Sequence, residues 1–324
     1  MKFIDLFAGI GGFRVALEKS GQNCVFSSEW DKYAQLTYKE NFGETPHGDI
    51  TQIDENSIPE HDILCGGFPC QAFSVSGKQA GFNDTRGTLF FDIARIVKKQ
   101  KPKVIYLENV RNLYRHDNGK TLATVKTVLD DLNYHTFIEV LDSSNYGVPQ
   151  HRERVYIICF RKDLNIENFE FPKPTFDKIF LEDVLEKNID FSDFIVNRKD
   201  IKLIEEKLHL TSDLFSTDFL KPIRVGTISK GGQGERIYSV KGHAITLSAY
   251  GGGVAGKTGA YLIDGVIRQL TPRECLRVQG FPESFKFPEG MSVSQMYKMC
   301  GNSVSVPVVE KIFKNILNRI NIGS

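Results

Sequence analysis

Strand-like and helix-like segments alternate along residues 2–160, and this alternation constrains the fold more than any other feature of the sequence. Short apolar runs such as FIDLFA and KVIYLENV each precede a helix-like stretch such as RVALEKS or GKTLATVKTVLDDL. Such alternation is typical of a parallel sheet with helices on both faces. Two further runs, YHTFIEVLD and RERVYIICFR, have no helix between them and are predicted to pair antiparallel. We therefore predict an α/β fold with a mostly parallel, doubly wound sheet and a terminal antiparallel hairpin.

The pattern changes after about residue 170. The run FPKPTF breaks the alternation, and DVLEKN and RKDIKLIEEKLHL are typical of short polar helices. Residues 221–257 hold nine glycines and six Lys or Arg against one acid, Glu235. A basic glycine-rich segment in a chain of net charge +1 indicates a polyanionic partner, although composition alone favours an ordinary solvated loop. We predict a smaller, glycine-rich second domain here.

Composition excludes several classes of protein. Hydrophobic residues make up 41% of the chain and charged residues 25%, which is ordinary for a soluble globular protein. No apolar run is long enough to span a membrane, and the start MKFIDLFAGIGG is unlike a signal peptide. The six Cys form no CxxC pair and no cluster with His, so neither a metal site nor a disulfide scaffold is predicted. We expect a cytoplasmic protein without a bound metal.

A glycine cluster separates the first predicted strand from the first predicted helix. In DLFAGIGGFR, the glycines Gly9, Gly11 and Gly12 would let the backbone approach a ligand closely at the helix N-terminus. The third glycine of the dinucleotide fingerprint would fall at Arg14, which disfavours a nicotinamide cofactor. A plain glycine-rich turn is the alternative to a nucleoside site.

Three residues beyond this cluster favour the nucleoside site. Glu29 lies 20 residues after Gly9, the spacing of an acid that binds ribose hydroxyls. The neighbouring Trp30 is the only Trp in the chain and can stack on an adenine ring. Asp49, in HGDI, is suited to binding an adenine amino group. We therefore predict an adenosine-containing cofactor other than NAD.

The segment GGFPCQAFS presents Cys70 on a loop after the predicted strand DILCGG. Ligands bind outside the carboxyl ends of strands in such sheets, and Glu108 in ENV ends the next strand. Arg152 and Arg154, in QHRER, open the last strand and would lower the pKa of a nearby thiol, whose thiolate is a nucleophile. A structural ion pair between Glu108 and Arg154 is the alternative. The other five cysteines are expected to be buried small hydrophobes.

Eight motifs then stand in a specific order: DLFAGIGGFR, EWD, GDI, GGFPCQAFS, ENV, QHRERVYIICF, RQLTPRECLRVQGFP and GNSV. This order, over essentially the whole chain, resembles the carbon-5 cytosine DNA methyltransferases. The resemblance implies S-adenosylmethionine as the methyl donor and double-stranded DNA as the partner, in a bacterial restriction–modification system. It also implies a monomer without an obligate protein partner and without a membrane association.

The resemblance assigns a cofactor pocket to residues from both ends of the chain. Phe7 would support the adenosine, and the residues around Asp49 would meet the adenine. The complete predicted set is Phe7, Gly9, Gly11, Gly12, Glu29, Trp30, Asp49, Ile50, Pro69, Leu89 and Asn302.

The resemblance also implies a covalent reaction. The Cys70 thiolate would attack carbon 6 of a cytosine flipped out of the duplex, which activates carbon 5 for methylation. Glu108 would hydrogen-bond ring nitrogen 3, Arg154 would hold the carbonyl oxygen, and Arg152 would support that geometry. The base that removes the carbon-5 proton stays unassigned.

The segment 226–262 resembles the target-recognition segment of a family member that methylates the first cytosine of 5′-GCGC. Gln233, helped by Ser76, would fill the space left by the flipped base, and Arg236 would read a guanine edge. The predicted DNA-binding residues are Ser76, Lys230, Gln233, Arg236, Thr246, Tyr250, Gly251 and Gly253. The run VAG at 254–256 departs from that member's pattern, which leaves the flanking preference open.

These assignments imply a discontinuous catalytic domain of residues 1–182 and 302–324, a recognition domain of residues 183–273 and a hinge of residues 274–301. Two alternatives stay open at this point. A tRNA cytosine-5 methyltransferase of the same fold would share Cys70 and Glu108, and a catalytically silent DNA-binding regulator would retain the recognition segment.

Overall fold

The structure, a computed structural model, describes residues 1–69, 89–207 and 221–322. It divides into two compact units. The first unit comprises Met1–Leu141, Glu153–Pro172 and Val309–Ser324, and the second comprises Asp142–Arg152 and Lys173–Val308. Each unit combines a sheet with helices, so the prediction of a mixed α/β fold is confirmed.

The first sheet has six strands in the order β2-β1-β3-β4-β6-β5. Neighbours among β1 to β4 run parallel, and β6 runs antiparallel to β4. The winding direction reverses between β1 and β3, which is the point where open α/β sheets bind ligands. The strands are β1 (Lys2–Leu6), β2 (Asn23–Ser28), β3 (Ile63–Gly67), β4 (Val104–Val110), β5 (Tyr134–Asp142) and β6 (Glu153–Arg161).

The central strands are apolar because they are buried along almost their whole length. Four of the five residues of β3 and six of the seven of β4 are buried, as expected for parallel strands covered on both faces. Helix α3 turns one apolar stripe inward, including Ile93, Ile96 and Val97. The helices of this part of the fold are α1 (Gly12–Lys19), α2 (Lys32–Phe42), α3 (Leu89–Gln100), α4 (Lys120–Asp131) and α7 (Val306–Ile322).

The second unit contains a five-stranded sheet in the order β11-β10-β9-β8-β7. Strands β9 and β10 are parallel, and the other neighbouring pairs are antiparallel. A small core of buried residues, including Val225, Ile237 and Ala255, lies against this sheet. The elements are β7 (Ile201–Leu203), β8 (Ile223–Ile228), β9 (Arg236–Ser239), β10 (Ala260–Ile263), β11 (Val266–Arg268), α5 (Pro272–Gln279) and α6 (Val293–Asn302).

The prediction of short polar helices at DVLEKN and RKDIKLIEEKLHL was wrong over their described residues; the last three residues of the second run lie outside the described residues. Within RKDIKLIEEKLHL, residues Ile201–Leu203 form β7, which pairs Ile201 with Ile228. The edge of β8 offers backbone hydrogen bonds, and this pairing outweighs the weak helical propensity of so short a run. Only a short 3-10 turn, Leu181–Val184, overlaps the run DVLEKN.

One buried ion pair connects β11 to α5 in the second unit. Arg268 Nη1 and Nη2 lie 2.8 and 2.7 Å from the two carboxylate oxygens of Glu274, and both side chains are almost wholly buried. The same carboxylate accepts hydrogen bonds from the backbone N–H groups of Thr271 and Glu186 at 2.8 and 2.9 Å. Thr271 in turn caps α5 by accepting from Glu274 N, so this carboxylate organises the start of the helix.

Candidate functional site

One edge of the first sheet gathers most of the predicted catalytic and cofactor residues. Because β1 to β4 run parallel, their carboxyl ends share this edge, and the loops that follow them begin there. Strand β6 runs the opposite way, so its first residues lie at the same edge, where Val110 of β4 pairs with Arg154. The parallel register thus explains why motifs far apart in sequence become neighbours.

The loop after β1 has an unusual backbone. Phe7, Gly9 and Gly11 all adopt the left-handed conformation, with φ angles of 55°, 55° and 87°. A Cβ on Gly11 would lie 2.8 Å from Phe42 Cζ and 3.1 Å from Tyr38 Cε2, so no side chain fits there. A left-handed non-glycine residue such as Phe7 is uncommon and recurs at ligand-binding loops. Helix α1 starts at Gly12, and no side chain caps its N-terminus. Its first backbone N–H groups therefore face the loop without a side-chain acceptor.

Glu29, directly after β2, is joined to the glycine loop. Its Oε2 accepts a hydrogen bond from Gly9 N at 2.7 Å, and its Oε1 accepts one from Asp31 N at 2.8 Å. Burial raises the pKa of the Glu29 carboxyl, and these backbone donors oppose the shift. The adjacent Trp30 is 76% exposed, so its ring has an open face.

Asp49 and Ile50 lie in a short turn that a distant arginine holds in place. Asp49 is exposed and accepts a hydrogen bond from Thr51 N at 3.0 Å, whereas Ile50 is buried. Arg95 of α3 donates to the carbonyl oxygens of Ile50 and Ile53 at 2.6 and 2.9 Å. Sequence reasoning missed Arg95, because an arginine on an amphipathic helix carries no sign of a partner 45 residues earlier.

Two of the sequence-predicted site residues, Cys70 and Ser76, lie outside the described residues, and their placement stays a prediction. The described residues on either side of this segment are Pro69 and Leu89. Pro69 is exposed, and Leu89 starts α3 and is partly buried against the core.

Four of the other five cysteines are buried, as the sequence predicts. Cys65, Cys159, Cys275 and Cys300 are fully buried, and Cys24 is half-buried. Burial raises the pKa of each of these thiols, to about 12 at Cys24, Cys159 and Cys300. Thiols with so high a pKa are unreactive at neutral pH, so none of these five is suited to act as a nucleophile.

Glu108 and Arg154 meet at the shared strand edge. Arg154 Nε lies 3.0 Å from Glu108 Oε1, and only 14% and 10% of the two side chains are exposed. A carboxyl group beside a guanidinium in a nearly dry site offers both a hydrogen-bonding group and a positive charge for a polar heterocycle.

Asn109 connects this pair to the chain that precedes Cys70. Its side chain is buried, and Nδ2 donates to the carbonyl oxygen of Phe68 at 2.8 Å. Its Oδ1 accepts from the backbone N–H of Val110, also at 2.8 Å. The end of β3 is therefore tied to the end of β4 next to Glu108. The ENV motif drew attention to this segment, but the sequence alone assigned Asn109 no role.

Arg152 and Asn302 belong to the second unit. The guanidinium of Arg152 is buried and donates to the carbonyl oxygens of Leu247, Gly301 and Ser303 at 3.3, 3.1 and 2.6 Å. Asn302 lies between two of these acceptors, at the exposed end of α6. These contacts make Arg152 a positioning residue for the GNSV segment, and its contribution to catalysis stays a prediction.

The predicted DNA-binding residues of the second unit are mostly exposed. Lys230, Gln233, Arg236 and Gly253 are exposed, and Tyr250 is 79% exposed. Gly251 is half-buried, and so is Thr246, whose hydroxyl donates to the His151 carbonyl oxygen at 2.6 Å. The exposed side chains are available to a large ligand.

Asp5 on β1 is a buried carboxyl that the sequence did not single out. It is fully buried, and this burial raises its pKa to about 8, against the opposing charge of Arg14. An acid inside an apolar strand could have signalled it, since buried carboxyl groups are rare.

In residues 1–69, 89–207 and 221–322, no group of three or more His, Cys, Asp and Glu could hold a metal ion. Across the same residues, no helix combines the length and the apolar character that a membrane span requires.

The fold and the edge site together define an α/β protein with a left-handed glycine loop after β1 and a largely buried carboxyl–guanidinium pair. The model of the family described as C-5 cytosine-specific DNA methylase matches residues 1–318, and the chain belongs to this family. It is therefore an enzyme that methylates carbon 5 of cytosine in DNA, as the sequence motifs predicted.

Two curated relatives share nearly the whole chain. Type II methyltransferase M.HhaI of Haemophilus parahaemolyticus is 55% identical over 99% of this chain and 95% of its own. Type II methyltransferase M.HpaII of Haemophilus parainfluenzae is 42% identical over 98% of this chain and 89% of its own.

Solved structures with the same fold are more distant in sequence. The S. pombe Dnmt2 methyltransferase superposes with a TM-score of 0.73 at 20% identity, over 99% of both chains. A putative DNA modification methyltransferase encoded within an E. coli prophage superposes with a TM-score of 0.69 at 21% identity, again over 99% of both chains.

Proposed function

We propose that this enzyme takes the methyl group from S-adenosylmethionine and transfers it to the first cytosine of 5′-GCGC in duplex DNA, through a covalent bond between Cys70 and carbon 6. The observation that carries the proposal is the Glu108–Arg154 pair, 3.0 Å apart at the edge where the chain leads to Cys70. The type II names of the relatives support a protective role in a restriction–modification system.

The residues of the glycine loop fit an adenosine-containing cofactor. Gly9 has open space where a side chain would lie, Glu29 is fixed by Gly9 N beside it, and the Trp30 ring is exposed for stacking. The uncapped N–H groups of α1 suit the carboxylate of a methionine moiety. When bound, S-adenosylmethionine supplies a methyl group made electrophilic by its sulfonium. We assign the remaining contacts to Phe7, Gly12, Asp49, Ile50, Pro69, Leu89 and Asn302.

The proposed chemistry overcomes the poor nucleophilicity of carbon 5 in an aromatic ring. Addition of the Cys70 thiolate to carbon 6 breaks the aromaticity and makes carbon 5 nucleophilic. Glu108, hydrogen-bonded to ring nitrogen 3, would stabilise the developing charge, and Arg154 would hold the carbonyl oxygen. After methyl transfer, loss of the carbon-5 proton allows the Cys70–carbon 6 bond to break, which restores the thiolate and the aromatic ring.

The target base must leave the duplex for this reaction, which costs a few kcal/mol of stacking. Gln233 and Ser76 are proposed to fill the vacated space, and Arg236 to read a guanine through a bidentate contact. Lys230 and Thr246 are assigned to phosphates. The Thr246 hydroxyl, which donates its one proton to the His151 carbonyl oxygen, would exchange that acceptor for a phosphate oxygen. Tyr250, Gly251 and Gly253 are assigned to the remaining bases of the site.

We also propose a domain assignment. Residues 1–182 and 302–324 would form the catalytic domain, residues 183–273 the recognition domain, and residues 274–301 the hinge. The enzyme would act as a monomer in the bacterial cytoplasm, where its DNA substrate lies.

Two assays test the proposal. The first compares incorporation of tritiated methyl groups into duplex DNA and into tRNA, and we expect incorporation into DNA alone. Transfer to tRNA alone would establish the RNA alternative, and transfer to neither would favour a silent regulator. The second is bisulfite sequencing of a treated plasmid, with methylation expected only at the first cytosine of GCGC. Methylation at another sequence would retain the enzyme class and reject this specificity.

A further inference from the structure

Two loops of the second unit carry the exposed side chains assigned to DNA. The first reading loop, residues 229–236, carries Gln233 and Arg236, and the second reading loop, residues 250–257, begins with Tyr250. The two loops touch backbone to backbone, at a point where glycines stand on both sides. Because glycine has no side chain, nothing but backbone lies between the two loops at this point.

Gly234 is the closest point of this contact. Its φ is +80°, and an added Cβ would meet the carbonyl oxygen of Gly252 and lie 2.7 and 2.9 Å from Gly256 Cα and N. Real Cβ atoms do not approach backbone atoms so closely, and backbone cannot rotate away as a side chain can. The Gly234 carbonyl oxygen also accepts a hydrogen bond from Ala255 N at 3.0 Å. Gly234 is thus both clamped by and bonded to the second reading loop.

Both loops are anchored on the body of the second unit. In the first reading loop, Glu235 O accepts from Ile228 N at 2.7 Å. In the second, Ala255 is buried in the core, and Lys257 Nζ donates to Ser294 Oγ at 2.7 Å. Because these contacts hold both loops, and a methyl group at Gly234 would meet the backbone of Gly252 and Gly256, we expect such a group to move the loops apart at their crossing.

We propose that Gly234 is a positioning residue for sequence specificity, because it fixes the distance between the two reading loops. This inference rests on the proposed assignment of both loops to DNA. Separation of the loops would move Gln233 and Arg236 relative to Tyr250, while the strands beneath stay in place. A bidentate arginine–guanine contact tolerates little displacement, so discrimination between base pairs should fall first.

The test compares Gly234→Ala with Gly232→Ala, a matched control in the same loop. A Cβ at Gly232 would meet only the flexible end of Glu235, at 3.4 Å, and its backbone needs no left-handed conformation. For each variant, kcat/KM is measured on the duplex site that the wild-type enzyme selects and on the same duplex with one guanine pair replaced. Cofactor affinity, followed through Trp30 fluorescence, reports whether the first unit is intact.

We expect Gly234→Ala to reduce the ratio of the two kcat/KM values by roughly tenfold or more, the loss of one bidentate contact, with unchanged cofactor affinity. Gly232→Ala should retain the wild-type ratio. If Gly234→Ala does not fold, Gly253→Ala takes its place, since its Cβ would press on the Gln233 and Gly234 carbonyl oxygens at 3.2 Å, and a smaller loss is expected at the guanine pair assigned to Arg236, which Gly253 is not assigned to contact.

A wild-type ratio in Gly234→Ala, or an equal loss in Gly232→Ala, would overturn the inference. Because the assay uses the site that the wild type selects, a site other than GCGC does not affect it. Absence of methyl transfer to any duplex by the wild type would instead remove the proposed function, and this inference with it.

Discussion

Breaking the buried ion pair between Arg268 and Glu274 should lower the free energy of unfolding more than breaking any exposed pair near it. Replacing Glu274 by Gln removes a charge that faces two guanidinium nitrogens and weakens two backbone hydrogen bonds at the start of α5. The substitution leaves a cation buried without its counter-charge, which costs about 3–5 kcal/mol. Arg268→Met leaves the Glu274 carboxylate with its two backbone donors. Its loss of unfolding free energy should therefore lie near the lower end of this range, at about 3 kcal/mol.

Urea unfolding followed by far-UV circular dichroism measures these costs, and a double variant tests the coupling. The losses of unfolding free energy in the two single variants should not add. The first substitution leaves a buried charge without its partner, and the second substitution removes that charge. We expect a coupling energy of about 1–3 kcal/mol. Glu283→Gln is the matched control, since the Glu283–Arg277 pair also involves α5 but Glu283 is 65% exposed. It should cost less than about 1 kcal/mol. Equal losses in Glu274→Gln and Glu283→Gln, or additive single costs, would refute the reasoning.

Three further predictions concern the first unit. The pKa of Asp5, about 8 when folded and about 3.9 when unfolded, means that the folded protein keeps a proton that the unfolded chain loses. The stability that this proton contributes is complete below about pH 4 and is lost as the pH rises through 8. In urea unfolding between about pH 4 and about pH 8, the free energy of unfolding of Asp5→Asn should therefore rise by up to about 5 kcal/mol relative to that of the wild type. Asn109→Ser, which loses the hydrogen bond to Phe68 O, should slow covalent trapping of DNA by roughly tenfold or more at unchanged cofactor affinity. Glu29→Ala should weaken cofactor binding roughly tenfold, measured through Trp30 fluorescence, because the proposed acceptor for the ribose hydroxyls is lost.

Each of these has a clear contrary result. Parallel stability curves for Asp5→Asn and wild type from about pH 4 to about pH 9 would contradict the raised pKa. Asn109→Asp presents an acceptor to the Phe68 carbonyl and should be slower than Asn109→Ser; the reverse order would argue against the positioning role. Unaltered cofactor affinity in Glu29→Ala would remove that residue from the cofactor site.

The sequence predicted those parts of the molecule that leave a periodic or ordered signal. Alternating apolar runs indicated the mixed α/β fold, and the strand ends brought Glu108 and Arg154 to one edge as the motifs implied. The same reasoning failed at Ile201–Leu203, because a three-residue edge strand is too short to show a period and depends on its partner β8.

The supporting contacts of the site could not be predicted from the sequence. Asn109 and Arg152 each bind backbone carbonyl groups, and any residue can offer a carbonyl, so the sequence carries no mark of the partner. The separations are long as well, 41 residues from Asn109 to Phe68 and 149 from Arg152 to Gly301. The contact between the two reading loops at Gly234 could not be predicted for the same reason. The sequence shows the glycines but not which backbone segments lie against each other.

The central claim is that Cys70 forms a covalent bond to the target cytosine, and one trapping experiment tests it directly. A duplex with 5-fluorocytosine at the methylated position is incubated with the enzyme and S-adenosylmethionine. Intact-protein mass spectrometry then measures the masses of the products. Fluorine blocks the proton loss that precedes release of the thiol, so the account predicts a stable protein–DNA adduct with the wild type and none with Cys70→Ser. Methylation of the ordinary duplex without an adduct on the fluorinated one, or an adduct formed by Cys70→Ser, would contradict it.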